Sequence, residues 1–324
     1  MKIFRWSDPI LLPLAPTIAG TIAAYLRLIS ERVYSHLSCN YDNLAPELPT
    51  DESWFWQCQQ SIKSVTTTQY QYVSTFAHRL AAKSALTPLE ICQICQICQP
   101  PILPDAVDLA TGLELSCWYN EAGYLYFQLT PASIERWLDY LDRLPPLDLA
   151  VVPTHWHTTG TSGSALAIYA HARCCSLLKL ADREQSISLT TDWRIEHPDR
   201  LLNCREDRQL AGSIGIFDRP VERQLIQTLM AIMDAIYIHQ PPSLLASTVS
   251  MGSHRSPRST PNWSKLTIDL AQSWLDFYRD CRIFGEIKQQ NPHLAIARCG
   301  LTAIVRRYLQ ILLESLGAGV VEEL

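Results

Sequence analysis

Three groups of residues have types and spacings that could carry chemistry. Cys92-x-x-Cys95-x-x-Cys98 has a spacing found among iron–sulfur ligands, but the usual run adds a fourth cysteine and a proline at set offsets. Here Gln99-Pro100-Pro101 follows and the next cysteine is Cys117. The same spacing points three thiols toward one side of a helix beside Ile91 and Ile94, which is a core pattern. A redox or metal role and a packing role both stay open. His155-Trp156-His157, with Cys174-Cys175 further on, offers nitrogen and sulfur donors, yet zinc takes four ligands in a set geometry and Cys175 also belongs to an apolar stripe. Finally, Arg279, Arg282, Arg298, Arg306 and Arg307 offer cations near the chain end. These can pair phosphates, or form salt bridges with Asp276, Asp280 and Glu314.

Other chemistry lacks its residues. Paired carboxylates, a nucleophile elbow and a glycine-rich phosphate loop are all missing, and 12 glycines in 324 residues leave little room for such loops. No catalytic residue, metal or cofactor is therefore expected. The formal charge of −5 argues against a generally basic nucleic-acid binder. The halves differ: residues 1–150 carry 9 Lys+Arg and 15 Asp+Glu, a net of 9 − 15 = −6, and residues 151–324 carry 18 and 17, a net of +1. A phosphate-binding surface is expected in the second half. Eleven cysteines without a secretory signal fit a reducing cytosol, so a cytoplasmic protein is expected. The apolar stretch 9–28 is interrupted by Pro9, Pro13 and Pro16, which fits a buried helix starting near Pro16 better than a membrane span.

The elements that must position these residues fall into two groups. In the first, helices are expected over 17–37 and 54–83, the latter from Tyr72, Phe76 and Leu80 at steps of four. A polar, Pro-rich link over 38–52 separates them. Thr87-Pro88-Leu89-Glu90 predicts a capped helix start, and strands are predicted over 113–119 and 123–129 around a turn with Gly123 at a positive φ. Thr130-Pro131 then opens a helix to Arg143. Beyond a polar linker everything reads as helix. Ala165, Ile168, Ala172, Cys175 and Leu178 form one stripe, and further helices are expected over 220–237, 265–287 and 294–316. The basic segment 240–262 reads as mobile. The fold class is thus an α+β domain (1–145), a linker (146–163) and an all-α helical bundle (164–324).

Several segments resemble the arginyl-tRNA synthetase family. Ile168-Tyr169-Ala170-His171-Ala172-Arg173 resembles the first helix of its DALR anticodon-binding domain, with the pattern Gln-Tyr-Ala-His-Ala-Arg. Phe277-Tyr278-Arg279-Asp280-Cys281-Arg282-Ile283 resembles the internal Phe-Tyr-x-x-Cys-Arg-Val segment of that domain. Ala297-Arg298-Cys299-Gly300-Leu301 and Leu316-Gly317 fit its final helix and terminal turn. In the first half, Tyr72–Ala77, Thr87–Ile91 and Gly123–Leu129 are similar to segments of the family's N-terminal domain, which grips the outer corner of tRNA.

The family places a nucleotide-binding catalytic domain between these parts, whereas here Leu129 and Ala165 are 36 positions apart. The His-Ile-Gly-His and Lys-Met-Ser-Lys-Ser segments, which neutralise phosphate charge during adenylate formation, are missing. The chain end also lacks the Pro-Glu-x-Met-like tail of the family. The resemblance therefore implies a non-catalytic protein that binds tRNA, the arginine-specific species included, acting in trans on tRNA or with a synthetase. Tyr169, His171, Arg173, Tyr278, Arg279, Arg282, Arg298, Arg306 and Arg307 are the residues expected to touch it. The alternative is a protein–protein interaction subunit or assembly factor that reuses the fold without RNA binding.

Overall fold

Burial alternates residue by residue over 113–119 and 125–129, so each strand buries one face and leaves the other free of the core. In the computed structural model, which describes residues 3–6, 10–12, 17–40, 60–66, 69–98, 112–144, 164–196, 215–238 and 261–322, this alternation builds a six-stranded antiparallel sheet. The strands are β1 (Ile3–Arg5), β2 (Ile10–Leu12), β3 (Ile62–Thr66), β4 (Tyr70–Ser74), β5 (Leu113–Asn120) and β6 (Leu125–Leu129). Their order is β1-β5-β6-β4-β3, with β2 also on β5. Cys117, Phe127 and Tyr72 lie in one cross-strand row and are buried beneath helices α1 (Ile18–Asn40), α2 (Phe76–Ala81) and α3 (Pro88–Ile97).

The capped start at Thr87 is present. Glu90 N–H donates to Thr87 Oγ1 at 3.3 Å, Thr87 N–H donates to Glu90 Oε2 at 2.7 Å, and Pro88 opens the helix. Gly123 has φ +80°, and a Cβ there would lie 2.4 Å from Pro88 Cβ, so the hairpin turn packs against that helix start. Helix α4 (Pro131–Arg143) follows Thr130, and Ser133 Oγ holds its first turn to the Glu114 backbone.

One expectation fails here. The segment read as helix over 54–83 is, within its described part, the strand pair β3–β4 followed by the short α2. Tyr72, Phe76 and Leu80 are all buried, but a step of four residues is a multiple of the strand period as well as one helical turn. Ile62, Val65, Thr66, Tyr70, Tyr72 and Val73 supply the β-branched and aromatic residues that favour the strand. Strands β1 and β2, which the apolar pattern did not announce, both precede α1.

Two compact units divide the chain, Met1–Trp137 and Leu138–Leu324, and the division falls inside α4. The linker expected over 146–163 and the segment 240–262 lie almost wholly outside the described residues. In the second unit, α5 (Ser164–Arg183) packs against α7 (Trp263–Asp280) and α9 (Pro292–Ser315), and α6 (Pro220–Ile238) packs against α7. Among the described residues this unit is not wholly helical. Gln185, at φ +54°, ends α5, with Ser186 N–H bonded to Ala181 C=O at 2.9 Å. The chain then forms the hairpin β7 (Ser188–Leu189) and β8 (Ile195–Glu196). The third helix also stops short of Ile287: Cys281 is extended, Gly285 has φ +75°, and the short α8 (Glu286–Gln290) follows. Ile283 is drawn instead into a core with Leu178, Ala181, Ile187, Ile195 and Cys299.

A buried ion pair sets how α6, α7 and α9 meet. Arg298 and Glu222 side chains are each 1% exposed, and Arg298 Nε donates to Glu222 Oε1 at 2.8 Å. Arg298 Nη1 donates to the Arg282 carbonyl at 2.6 Å, and Glu222 Oε2 accepts from the Arg219 backbone N–H at 2.9 Å. Replacing Glu222→Ala leaves the Arg298 charge buried and alone. Urea denaturation should show a loss of about 3–5 kcal/mol. A loss under about 1 kcal/mol would contradict this role.

Candidate nucleic-acid interface

Along α5, Tyr169 and Arg173 are one turn apart and share a face, while His171 points to the other side. Tyr169 is 43% exposed and His171 fully buried. Arg173 reaches α7, where its Nη2 donates to Tyr278 Oη at 3.2 Å and its Cζ lies 5.6 Å from the Tyr278 ring centroid. Tyr278 is 38% exposed and stacks on the buried Trp274, with centroids 5.3 Å apart and planes 14° apart. Trp274 thus fixes the ring from beneath and Arg173 fixes its hydroxyl. The result is a rigid, half-open aromatic with a cation at its edge.

The expected residues separate into two sets. Tyr169, Arg173, Tyr278, Arg279 and Arg282 reach the surface. Arg279 is paired with Asp276 at 3.2 Å and Asp280 at 2.9 Å, and its hydrogen bond holds the Asp280 carboxyl below the ordinary range. Arg282 is exposed, and its guanidinium has no ion-pair or hydrogen-bond partner among the described residues. The others point inward. Arg298 is committed to Glu222. Arg306 is 7% exposed, donates to Gln310 Oε1 at 3.0 Å and lies 4.6 Å from the Trp193 ring centroid. Arg307 donates to the carbonyls of Leu141, Asp142 and Leu144 at 2.9, 3.0 and 3.3 Å, satisfying the end of α4.

His171 Nδ1 lies 3.0 Å from the Val321 carbonyl, and the carbonyl as acceptor fixes the proton on Nδ1. The chain end is thereby held to α5. Burial lowers the His171 pKa against the opposing pull of the Val321 bond. The cysteine run also points inward in part. Cys92 and Cys95 are buried, Cys98 is half-buried, and all three are free thiols. Burial pushes the Cys92 thiol up to about 12 and raises Cys95 and Cys117 further, so these sulfurs stay protonated. His155 and His157 lie outside the described residues.

Two features escaped the sequence reading. On the sheet face opposite the first unit's core, Arg5, Trp118, Tyr126, Val73 and Lys63 form one cross-strand row. Trp118 and Tyr126 stack at 5.6 Å with planes 5° apart, and Arg5 and Lys63 at the ends are exposed. The next row carries Ser116, Gln128 and Gln71. The strand period of two was the available signal, since stepping from Leu113, Leu115 and Cys117, and from Leu125, Phe127 and Leu129, leaves Trp118 and Tyr126 off the buried face. The second feature is Trp193, which meets two cations and sits in a hairpin that no periodicity announced.

The chain is 26% identical over 207 residues to an arginine–tRNA ligase of Synechococcus sp. (strain JA-3-3Ab). The match covers 64% of this chain and 26% of that protein, so the chain spans about a quarter of the relative's length. At 207 residues it is longer than either structural unit and includes residues of both. No family model matches the chain, and no solved structure matches it. Among the described residues, every strand pair is antiparallel and no helix is long and apolar enough to cross a membrane.

His171 gives a signed prediction. Its folded pKa is depressed, so as pH falls below the ordinary value near 6.5 the unfolded chain takes up the proton first. The stability associated with neutral His171 is present above pH 6.5 and lost as pH falls from there toward the folded pKa. Urea titrations at pH 7.5 and 5.5 should show a larger acid loss for the wild type than for His171→Asn. Equal losses would count against the assignment.

Proposed function

We propose that the protein binds tRNA without aminoacylating it, through the surface of Tyr169, Arg173, Tyr278, Arg279 and Arg282. The observation that carries this reading is Tyr278, held between Trp274 and Arg173 with a third of its surface open. An aromatic preorganised in this way stacks on an unpaired base at small entropic cost. Arg173 and Arg282 stand ready for the flanking phosphates. The similarity to an arginine–tRNA ligase supports RNA as the partner, and the DALR-like segments carry these residues. The Trp118–Tyr126 row, with Arg5 and Lys63 at its ends, is suited to a second contact on the first unit. The protein acts in trans, on tRNA or beside a synthetase.

A second reading, a protein–protein interaction subunit, is favoured by the excess of six acidic charges in residues 1–150. Copurification of a partner that survives ribonuclease, together with no tRNA binding, would select it.

Filter binding of total tRNA over a salt series tests the first reading. Wild type should bind with affinity falling as salt rises. Tyr278→Ala should lose about 1–3 kcal/mol of affinity, roughly 5- to 150-fold, while Tyr278→Phe keeps most of it. Arginine-dependent ATP–pyrophosphate exchange should stay at background. No binding at low salt, or an unchanged Tyr278→Ala, would sink the proposal.

A further inference from the structure

Helix α9 ends in a turn that sends the chain back toward α5. Gly317 has φ +69°, its N–H donates to the Glu314 carbonyl at 3.0 Å, and Ala318 N–H donates to the Leu313 carbonyl at 2.9 Å. Beyond this turn little holds the chain. Among the described residues, 319–322 make one hydrogen bond, from His171 Nδ1 to the Val321 carbonyl at 3.0 Å. A Cβ on Gly319 would meet nothing within 4 Å. Val321 is 40% exposed, whereas His171 and Cys175 are fully buried. The segment therefore lies between that pair and solvent. A stretch so thinly attached opens at far lower cost than the helices beneath it.

Its single bond belongs to a titratable side chain. Cys175 Sγ lies 3.8 Å from His171 Nδ1 and 4.0 Å from Nε2. With Nδ1–H donating to Val321, a second proton on Nε2 would have only this weak acceptor among the described residues. Arg306 and Glu314 on α9 and Glu322 on the returning segment act on the ring, the guanidinium against a positive charge and the two carboxylates in its favour. Arg306 also bonds the Cys175 sulfur, and Glu322 and Lys179 act on that thiol. Tyr278, the titratable group of α7 that reaches α5, meets Arg173 on the opposite face. Burial outweighs the two carboxylates and the Val321 bond, so the enclosed ring takes up a proton less readily than a hydrated one. Lifting the segment lets water solvate the imidazolium, and proton uptake therefore favours the open form.

We propose that residues 319–322 form a strap over His171 and Cys175 that opens when His171 takes up a proton, uncovering the Cys175 thiol beside the Arg306 guanidinium. The strap lies on the His171 side of α5, away from the Tyr278 surface, and stands whether or not that surface binds tRNA.

The rate at which iodoacetamide alkylates Cys175, mapped by mass spectrometry, tests it. Subtracting the rate at Cys299, which is buried in the core of the second unit, removes any contribution from global unfolding. Dividing the wild-type rate by that of a variant ending at Ala318 removes the pH dependence of the thiol itself. From pH 7.5 to 5.5 this ratio should rise by up to about tenfold, the linkage limit for an open-form histidine of ordinary pKa. In His171→Asn, which keeps a donor but does not titrate, the ratio should stay level. A wild-type ratio that stays level or falls on acidification overturns the proposal, whether or not His171→Asn folds. So does an unreactive Cys175 in the variant ending at Ala318, or a rise that His171→Asn retains.

Discussion

The Arg298–Glu222 pair is the constraint on which the second unit's surface depends. One guanidinium binds a carboxylate from the first turn of α6 and the Arg282 carbonyl just past α7, and the same carboxylate caps the α6 start through the Arg219 N–H. Arg219 Nη1 in turn donates to the Asp280 carbonyl at 2.7 Å. The start of α6, the segment just past α7 and α9 are thus fixed within hydrogen-bonding distance. The segment they fix, 278–283, carries Tyr278, Arg279 and Arg282. A buried pair of this kind adds little net stability over an apolar replacement, but it penalises every packing that separates its partners. Its effect is one of placement.

What the sequence reading captured follows from local physics. The Thr87 capping box, the Gly123 turn and the long helices of the second unit depend on neighbours within a few residues, and all are present. The failures arise where distance or ambiguity enters. Steps of four could not separate helix from strand over 62–74. The β7–β8 hairpin has two-residue strands, too short to show a period. Arg173 lies off the stripe of Ala165, Ile168, Ala172, Cys175 and Leu178, but its bond to Tyr278 spans 105 residues and left no local trace.

The arginines show the same limit in chemical terms. By residue type, Arg282, Arg298, Arg306 and Arg307 are alike. Their surroundings make one an exposed cation, one half of an ion pair, one a ring-covered buried charge and one a cap on helix carbonyls. Sequence supplies the group, while the partner that decides its role comes from packing between distant segments. For Tyr278 likewise, its stack on Trp274 spans one helical turn but its hydroxyl partner Arg173 comes from a distant helix.

This commitment of basic residues to the interior bears on how RNA would be held. Binding led by phosphates grows with the number of cations that displace counterions. Here several of the cations near the chain end are already engaged by the fold, and Arg279 is shared between two aspartates. The chain as a whole is acidic, with a net charge of −5. A surface of this kind cannot draw much affinity from charge alone. RNA held by such a surface would depend on stacking and shape at a few positions, of which Tyr278 on the second unit and the Trp118–Tyr126 pair on the first are the candidates. Stacking contacts of this kind need single-stranded or unstacked bases, conditions met in RNA loops and not along a regular duplex.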